Sequence, residues 1–187
     1  MAEKSFILTR ANIEALLNET PPLIEGAPCI QDQVQPNGID LTIKEIASFS
    51  SPGSIGFSNE VRVLAHSSPS LFGNAEATNL PAGCYLITYN EIVRLPRNIM
   101  ALGLPRSSLL RCGVSIHTAV WDAGYSGRSQ SLLTVYNPAG FHLYRNARAM
   151  QLIFFHLSQE VEQGYNGIFQ GENIQTTFHS HRENMLE

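Results

Sequence analysis

The chain is 187 residues long, with 12 Lys and Arg against 16 Asp and Glu and a formal net charge of −4. Such a length supports one domain with a proper core, whereas two domains would each be small. A hydrophobic fraction of 43% with 15% charged residues is ordinary for a soluble globular chain, and the negative balance argues against a general nucleic-acid binder.

The opening stretch MAEKSFILTRANIEALLNE is not expected to act as a signal peptide, because its apolar residues are interrupted and Glu3 comes early. No apolar run approaches the length of a membrane span. Thr9 is placed to cap a short amphipathic helix over Arg10–Leu17, ended by Asn18-Glu19-Thr20 and the Pro21-Pro22 pair. Past that point helical periodicity nearly vanishes. Short apolar runs recur between turn signals, at residues 61–65, 84–89, 92–95, 99–104, 114–118, 129–136 and 150–156. Pro96, Pro105, Pro138 and many Gly and Asn residues punctuate them, which suits a sandwich or jelly roll. Residues 48–57 and 67–79 read as long surface loops, and those after about Gln175 as a polar, mobile tail. No internal repeat is evident. The three scattered cysteines, Cys29, Cys84 and Cys112, fit a reducing cytosol, so a cytoplasmic location is expected.

The stretch PRSSLLRCGVSIHTAVWDAGYSG, from Pro105 to Gly127, concentrates the chemistry. Arg106 carries a permanently charged planar fork suited to phosphate oxygens. Ser107 and Ser108 add hydroxyls at the start of a short helical turn expected over Ser107–Arg111, where free backbone N–H groups favour an anion. The β-branched run from Val114 to Thr118 reads as a strand leading to Asp122-Ala123-Gly124-Tyr125-Ser126-Gly127. Gly124 and Gly127 there permit tight turning or close backbone approach to a ligand. Asp122 and Tyr125 are thus expected at a strand end, within reach of whatever the Arg-Ser-Ser turn holds. By itself the segment fits equally a surface loop whose aspartate caps a turn. The neighbouring Arg-Ser-Ser turn favours phosphate chemistry.

These residues carry a family resemblance. PRSSLLRCG resembles the R-S-S segment, and AVWDAGYSG the (G/A)-V-I-D-x-x-Y-x-G segment, of the trimeric dUTPase and dCTP deaminase superfamily. Gln35-Pro36-Asn37-Gly38-Ile39-Asp40-Leu41 is similar to its early Q-P-x-(S/G)-x-D-L segment, and Arg148-Ala149-Met150-Gln151-Leu152-Ile153 to its R-x-x-Q-L segment. The run from Tyr165 to Glu172 resembles the closing Y-x-G-x-(F/Y)-Q-G arm. Each match is weak alone, but together they form an ordered set over roughly residues 35 to 172. In the deaminases a catalytic glutamate lies in an L-E-(F/L)-x-N segment. The matching segment here runs from Leu132 to Asn137 and places Thr134 at that position. A hydroxyl of high pKa is a poor proton shuttle near neutral pH, and neither Glu60 nor Glu91 lies in a motif that would replace it. No C-x-x-C pairing supports a zinc deaminase. The spacing from Arg106 to Asp122 is shorter than in typical deaminases, so the chain most resembles the archaeal-type dUTPases.

The resemblance implies one all-β domain over residues 1–187, a distorted jelly roll or barrel with a short N-terminal helix and a mobile arm and tail from about residue 160. It implies hydrolysis of dUTP to dUMP and pyrophosphate, which limits uracil incorporation into DNA and supplies dUMP. Asp122 would activate the water that attacks the α-phosphate, with Mg²⁺ held mainly by the substrate's own phosphates. Arg106, Ser107, Ser108 and Gln151 would hold the phosphates, Tyr125 would pack on the deoxyribose, and backbone groups between Val114 and Ala119 would read the uracil. Phe169 and Gln170 belong to the closing arm. Phe169 either closes over the base or is a core anchor. Arg111 matches a deaminase active-site arginine and equally suits a local carboxylate partner. His117 reads as a packed, hydrogen-bonded histidine or a ligand contact. Asp40 either reaches metal-bound water or orders the turn at Gly38. His179 and His181 read as part of a solvated tail rather than a metal site. The resemblance also implies a homotrimer with interfacial active sites. Two alternatives remain, a dCTP deaminase or bifunctional deaminase/dUTPase, and a non-catalytic nucleotide-binding jelly roll. The intact Arg106, Ser107, Asp122 and Tyr125 disfavour the second.

Overall fold

The fold follows from where this sequence satisfies its backbone and hides its apolar faces. The structure, a computed structural model, describes residues 6–174. Helix α1 spans Arg10–Leu17, as its sequence signals imply. The Asn12 side chain accepts from the Thr9 N–H at 3.1 Å and the Thr9 hydroxyl at 2.8 Å, which fixes the entry turn. Ile13 is buried, and Asn18 donates to the Glu14 carbonyl where the helix stops ahead of the proline pair.

Strands β1 (Ile24–Glu25), β2 (Val34–Gln35) and β3 (Gly38–Ser48) follow, with the single-turn helix α2 (Ile30–Gln33) ahead of β2. After a 3-10 turn at Asn59–Val61 come β4 (Ala77–Leu80), β5 (Gly83–Tyr89), β6 (Ile92–Arg94) and β7 (Ile99–Pro105). Helix α3 (Ser107–Arg111) precedes β8 (Val114–His117), β9 (Ser126–Gly127), β10 (Gln130–Val135), β11 (Phe141–Tyr144) and β12 (Arg148–His156). The main sheet is antiparallel in the order β7-β12-β3-β5-β10-β8, with β2 added to β3. Its two edges meet. Trp121, just past β8, exchanges backbone hydrogen bonds of 2.9 and 3.1 Å with Ala101 of β7, and the Thr118 hydroxyl reaches the Gly103 carbonyl at 3.3 Å. The sheet thereby rolls into a nearly closed barrel with its strand edges protected. Ile39, Leu41 and Ile43 from β3, Ile87 from β5, Leu133 from β10 and Phe154 from β12 fill its interior. Each such side chain contributes about 1.5–3 kcal/mol by leaving water.

A buried carboxylate pins this core. Glu91 is fully inaccessible and accepts from the Thr42 N–H at 2.9 Å, the Thr42 hydroxyl at 2.6 Å and Gln33 Nε2 at 2.7 Å. Burial raises its pKa, and these donors oppose that rise. Glu91 therefore ties α2 and β3 to the β5–β6 turn and is spoken for structurally.

The mainly β architecture with one short N-terminal helix is what forms, and two local expectations are corrected. Residues 61–65 are not a strand. Val63 makes one bridge to Ser54, the preceding residues turn where Ser58 Oγ accepts from Glu60 N, and Val61, Val63 and Leu64 stay exposed for want of a continuous partner. β4 starts at Ala77, inside the stretch read as loop, because it pairs with β11 in a separate two-stranded ribbon. Among the described residues no helix is long and apolar enough to cross a membrane.

Candidate active site

Two clusters of functional side chains form at opposite ends of β7. The first is built on the hairpin after β8. Its turn is closed by the Tyr125 N–H donating to the Asp122 carbonyl at 3.0 Å. Gly124 takes a φ of +84°, and a Cβ there would lie 2.7 Å from Gly164 Cα, so the hairpin and the C-terminal arm touch backbone to backbone. The arm then follows the hairpin, with Tyr165 N donating to Ala123 O at 2.8 Å and Gly171 N to Ser126 O at 2.7 Å. The Gln170 side chain spans Ser126 N and Gly124 O. Between hairpin and arm lies a cavity of about 370 Å³, walled by Asp122, Tyr125, Gln130, Tyr165, Phe169 and Glu172.

Asp122 is exposed on that wall, whereas Tyr125 is buried. The Tyr125 hydroxyl donates to Glu172 Oε1 at 2.8 Å and shares a 3.2 Å hydrogen bond with Ser129, whose Oγ also accepts from the Trp121 indole N–H at 2.6 Å. Tyr165 meets the Tyr125 ring edge-on at 5.7 Å. Burial pushes the pKa of Tyr125 far up, and burial raises that of Glu172 despite the hydrogen bond from Tyr125.

The second cluster lies where β7 enters α3. Register places Gln151 of β12 between Asp40 of β3 and Leu104 of β7. Gly38 has no side chain there, and a Cβ on it would come within 3.2 Å of the Gln151 amide. Asp40 is buried, with Oδ2 at 3.2 Å from Arg106 Nε and 3.8 Å from Arg148 Nη1. That oxygen has no hydrogen bond among the described residues, so the contact is an ion pair without hydrogen-bond geometry. Burial raises the Asp40 pKa, against the pull of Arg106 and then Arg148. A β-bulge between Arg148 and Met150 lies beside it, and Arg148 also donates to the Asp32 carbonyl at 2.7 Å. Ser107 and Ser108 stand exposed on the first turn of α3.

Within one chain the two clusters do not meet. Trp121 pairs with Ala101, so Asp122 falls level with Met100, six residues down β7 from Arg106. At about 3.3 Å per residue the separation along the strand is roughly 20 Å. Asp122, Tyr125 and Phe169 share the cavity, while Arg106, Ser107, Ser108 and Gln151 stand at the strand end with Asp40. Arg111 is exposed at the end of α3, and His117 is exposed on β8 with Nε2 at 3.2 Å from the Tyr136 hydroxyl. Thr134 lies buried in β10 beside Cys84, their side chains 3.7 Å apart. His179, His181 and the tail after Gln175 lie outside the described residues. Sequence reasoning did not single out Arg148 and Glu172 as site residues. The signals were their positions inside the R-x-x-Q-L and Q-G-E segments. Among the described residues no three His, Cys, Asp or Glu side chains converge as a metal cage.

A family model described as dCTP deaminase-like matches residues 7–157. The chain is similar to a probable deoxyuridine 5'-triphosphate nucleotidohydrolase of Methanosarcina mazei, 48% identical over 167 residues that cover 89% of this chain and 98% of the relative. It is also similar to the deoxyuridine 5'-triphosphate nucleotidohydrolase of Methanocaldococcus jannaschii, 36% identical over 143 residues, 75% of this chain and 89% of the relative. The solved 2'-deoxycytidine 5'-triphosphate deaminase of Agrobacterium tumefaciens matches with a TM-score of 0.61 at 21% identity. That match covers 80% of this chain and 48% of the deaminase, and is a likeness of fold.

Proposed function

The chain belongs to the dCTP deaminase-like family, and from that premise we propose that it is a dUTP diphosphatase, hydrolysing dUTP to dUMP and pyrophosphate. The observation that carries the mechanism is an exposed carboxylate, Asp122, on the wall of a cavity that an aromatic arm closes. Asp122 accepts a proton from water as that water attacks the α-phosphorus, and the bond from the α-phosphorus to the bridging oxygen breaks to release pyrophosphate. Tyr125, Tyr165 and Phe169 give the cavity flat apolar walls suited to a sugar and base. Arg106, Ser107, Ser108 and Gln151 bind phosphate oxygens, and buried Asp40 sets the direction of the Arg106 fork.

Mg²⁺, when bound, neutralises phosphate charge and fixes the conformation of the triphosphate. Among the described residues the acidic groups are scattered, which suits a metal carried mainly by substrate oxygens rather than by a protein cage. The roughly 20 Å between Asp122 and Arg106 supports a site completed by a second protomer, in a homotrimer. Exposed Leu102 and Leu104 on β7 and Leu110 on α3 offer apolar surface for that contact. A cytoplasmic location fits the three free cysteines. The deaminase reading lacks its proton shuttle, because Thr134 is a hydroxyl locked in the sheet.

The test is incubation of the purified chain and Mg²⁺ with dUTP and, separately, with dCTP. Release of dUMP and pyrophosphate from dUTP is expected, with no ammonia from dCTP. Ammonia from dCTP would replace this reading with deamination, and silence on both would replace it with binding alone.

A further inference from the structure

The contacts between arm and hairpin are of two kinds. Tyr165, Gln170 and Gly171 bond to backbone atoms of the hairpin and would hold any sequence there. Among the described residues Glu172 alone sends a side chain into the buried polar chain beneath it. The Tyr125 hydroxyl faces two acceptors, the Glu172 carboxylate and Ser129 Oγ, and Ser129 Oγ also accepts from the Trp121 N–H. Trp121, Ser129, Tyr125 and Glu172 are therefore one continuous hydrogen-bonded chain that ends on the arm.

We infer that Glu172 is a positioning residue for the reaction, coupling arm docking through Tyr125 and Ser129 to Trp121, the residue next to Asp122. The inference rests on the proposed hydrolase reading for its kinetic consequence but not for its structural one. Trp121 is where such coupling matters. Its backbone closes the barrel on Ala101, and its ring would sit 3.1 Å from a Cβ on Gly103, so β7 holds it on one side and Ser129 on the other. Without an acceptor at residue 172 the Tyr125 hydroxyl turns back to Ser129 and competes with the indole for that oxygen. The hairpin then loses the tie that sets the direction of Asp122. Glu172 also shares the cavity with Asp122, so a carboxylate held by Tyr125 is kept from opposing incoming phosphates freely.

The chain has one tryptophan, so emission from the full-length protein reports this coupling without any substrate. Glu172→Ala should shift Trp121 emission to the red, raise its access to acrylamide, and raise the KM for dUTP by about tenfold, the worth of one hydrogen bond to a charged group. Glu172→Gln keeps an acceptor oxygen and should return emission and KM close to wild type. Tyr125→Phe cuts the same chain from its other side and should reproduce the emission change, which keeps the test decisive if Glu172→Ala folds poorly. Wild-type emission and quenching in both folded Glu172→Ala and Tyr125→Phe would overturn the inference, as would a Gln variant no closer to wild type than the Ala variant. Absence of dUTP turnover by the wild-type protein would instead defeat the hydrolase reading and leave the emission comparison standing.

Discussion

At the hairpin after β8, two carboxylates and an aromatic wall enclose a cavity, whereas at the far end of β7 two guanidiniums and an amide gather around one buried carboxylate. The first region has shape and the proposed base, but it would face a polyanion with acids. The second has cations for phosphate, but its one carboxylate is committed to holding them. Each lacks what the other supplies, and β7 keeps them roughly 20 Å apart in one chain. On the proposed reading, the difference teaches that one chain carries two half-sites, one that orients and attacks and one that neutralises.

The largest expected effect removes the base. Asp122→Asn should lower kcat by about 10²–10⁴ with little change in thermal stability, because the side chain is exposed and a positioned general base is worth that much. Near-normal turnover in the folded variant would move the chemistry to another group and dissolve the comparison. The division into half-sites is then tested by mixing. Arg106→Ala should cost about 10² by loss of charge-assisted phosphate contacts. Mixed oligomers of the Arg106→Ala and Asp122→Asn chains, refolded together, should recover roughly a quarter of wild-type activity, since half-sites from two protomers pair at random. No recovery in verified mixed oligomers would place both halves in one chain.

A smaller effect separates positioning from charge. Asp40→Asn removes the anion between Arg106 and Arg148, so KM for dUTP should rise by about tenfold while kcat holds. A fall in kcat with KM unchanged would show Asp40 acting at the reacting atoms instead.

The hairpin half was legible in the sequence because local constraints write it. Gly124 needs its positive φ and has no room for a Cβ against Gly164, and Asp122 and Tyr125 flank it within four positions. α1 was legible for the same reason, through Thr9 and the proline pair. The strand-end half was only partly so. Gln151 and Arg106 stood in motifs, yet the ion pairs of Asp40 with Arg106 and Arg148 come from strand pairing across the sheet, which no spacing encodes. β3 was hidden because Asp40 and Thr42 interrupt its apolar pattern while being buried and partnered. The Tyr125–Glu172 contact was equally invisible, since it depends on how the arm folds back.

The mildest prediction concerns pH and distinguishes the arm from the rest of the hairpin half. Burial lifts the Glu172 carboxyl above its ordinary value of 4.5, and the Tyr125 hydrogen bond offsets only part of that rise. The docked arm therefore binds the proton more tightly than the released arm does. By linkage, docking is strongest below 4.5 and weakens as pH rises through the lifted value. The Tyr125 hydroxyl stays protonated because its own pKa is pushed far up, and Arg128 contributes a backbone N–H bond to the Glu172 carbonyl that does not titrate. Trp121 emission followed from about pH 4 to about pH 8 should drift toward the released form as pH rises, by a modest change spread over the carboxyl range. Glu172→Gln should flatten that drift. A Gln variant that titrates like wild type would take the proton away from Glu172, and the arm would then be held by its backbone bonds alone.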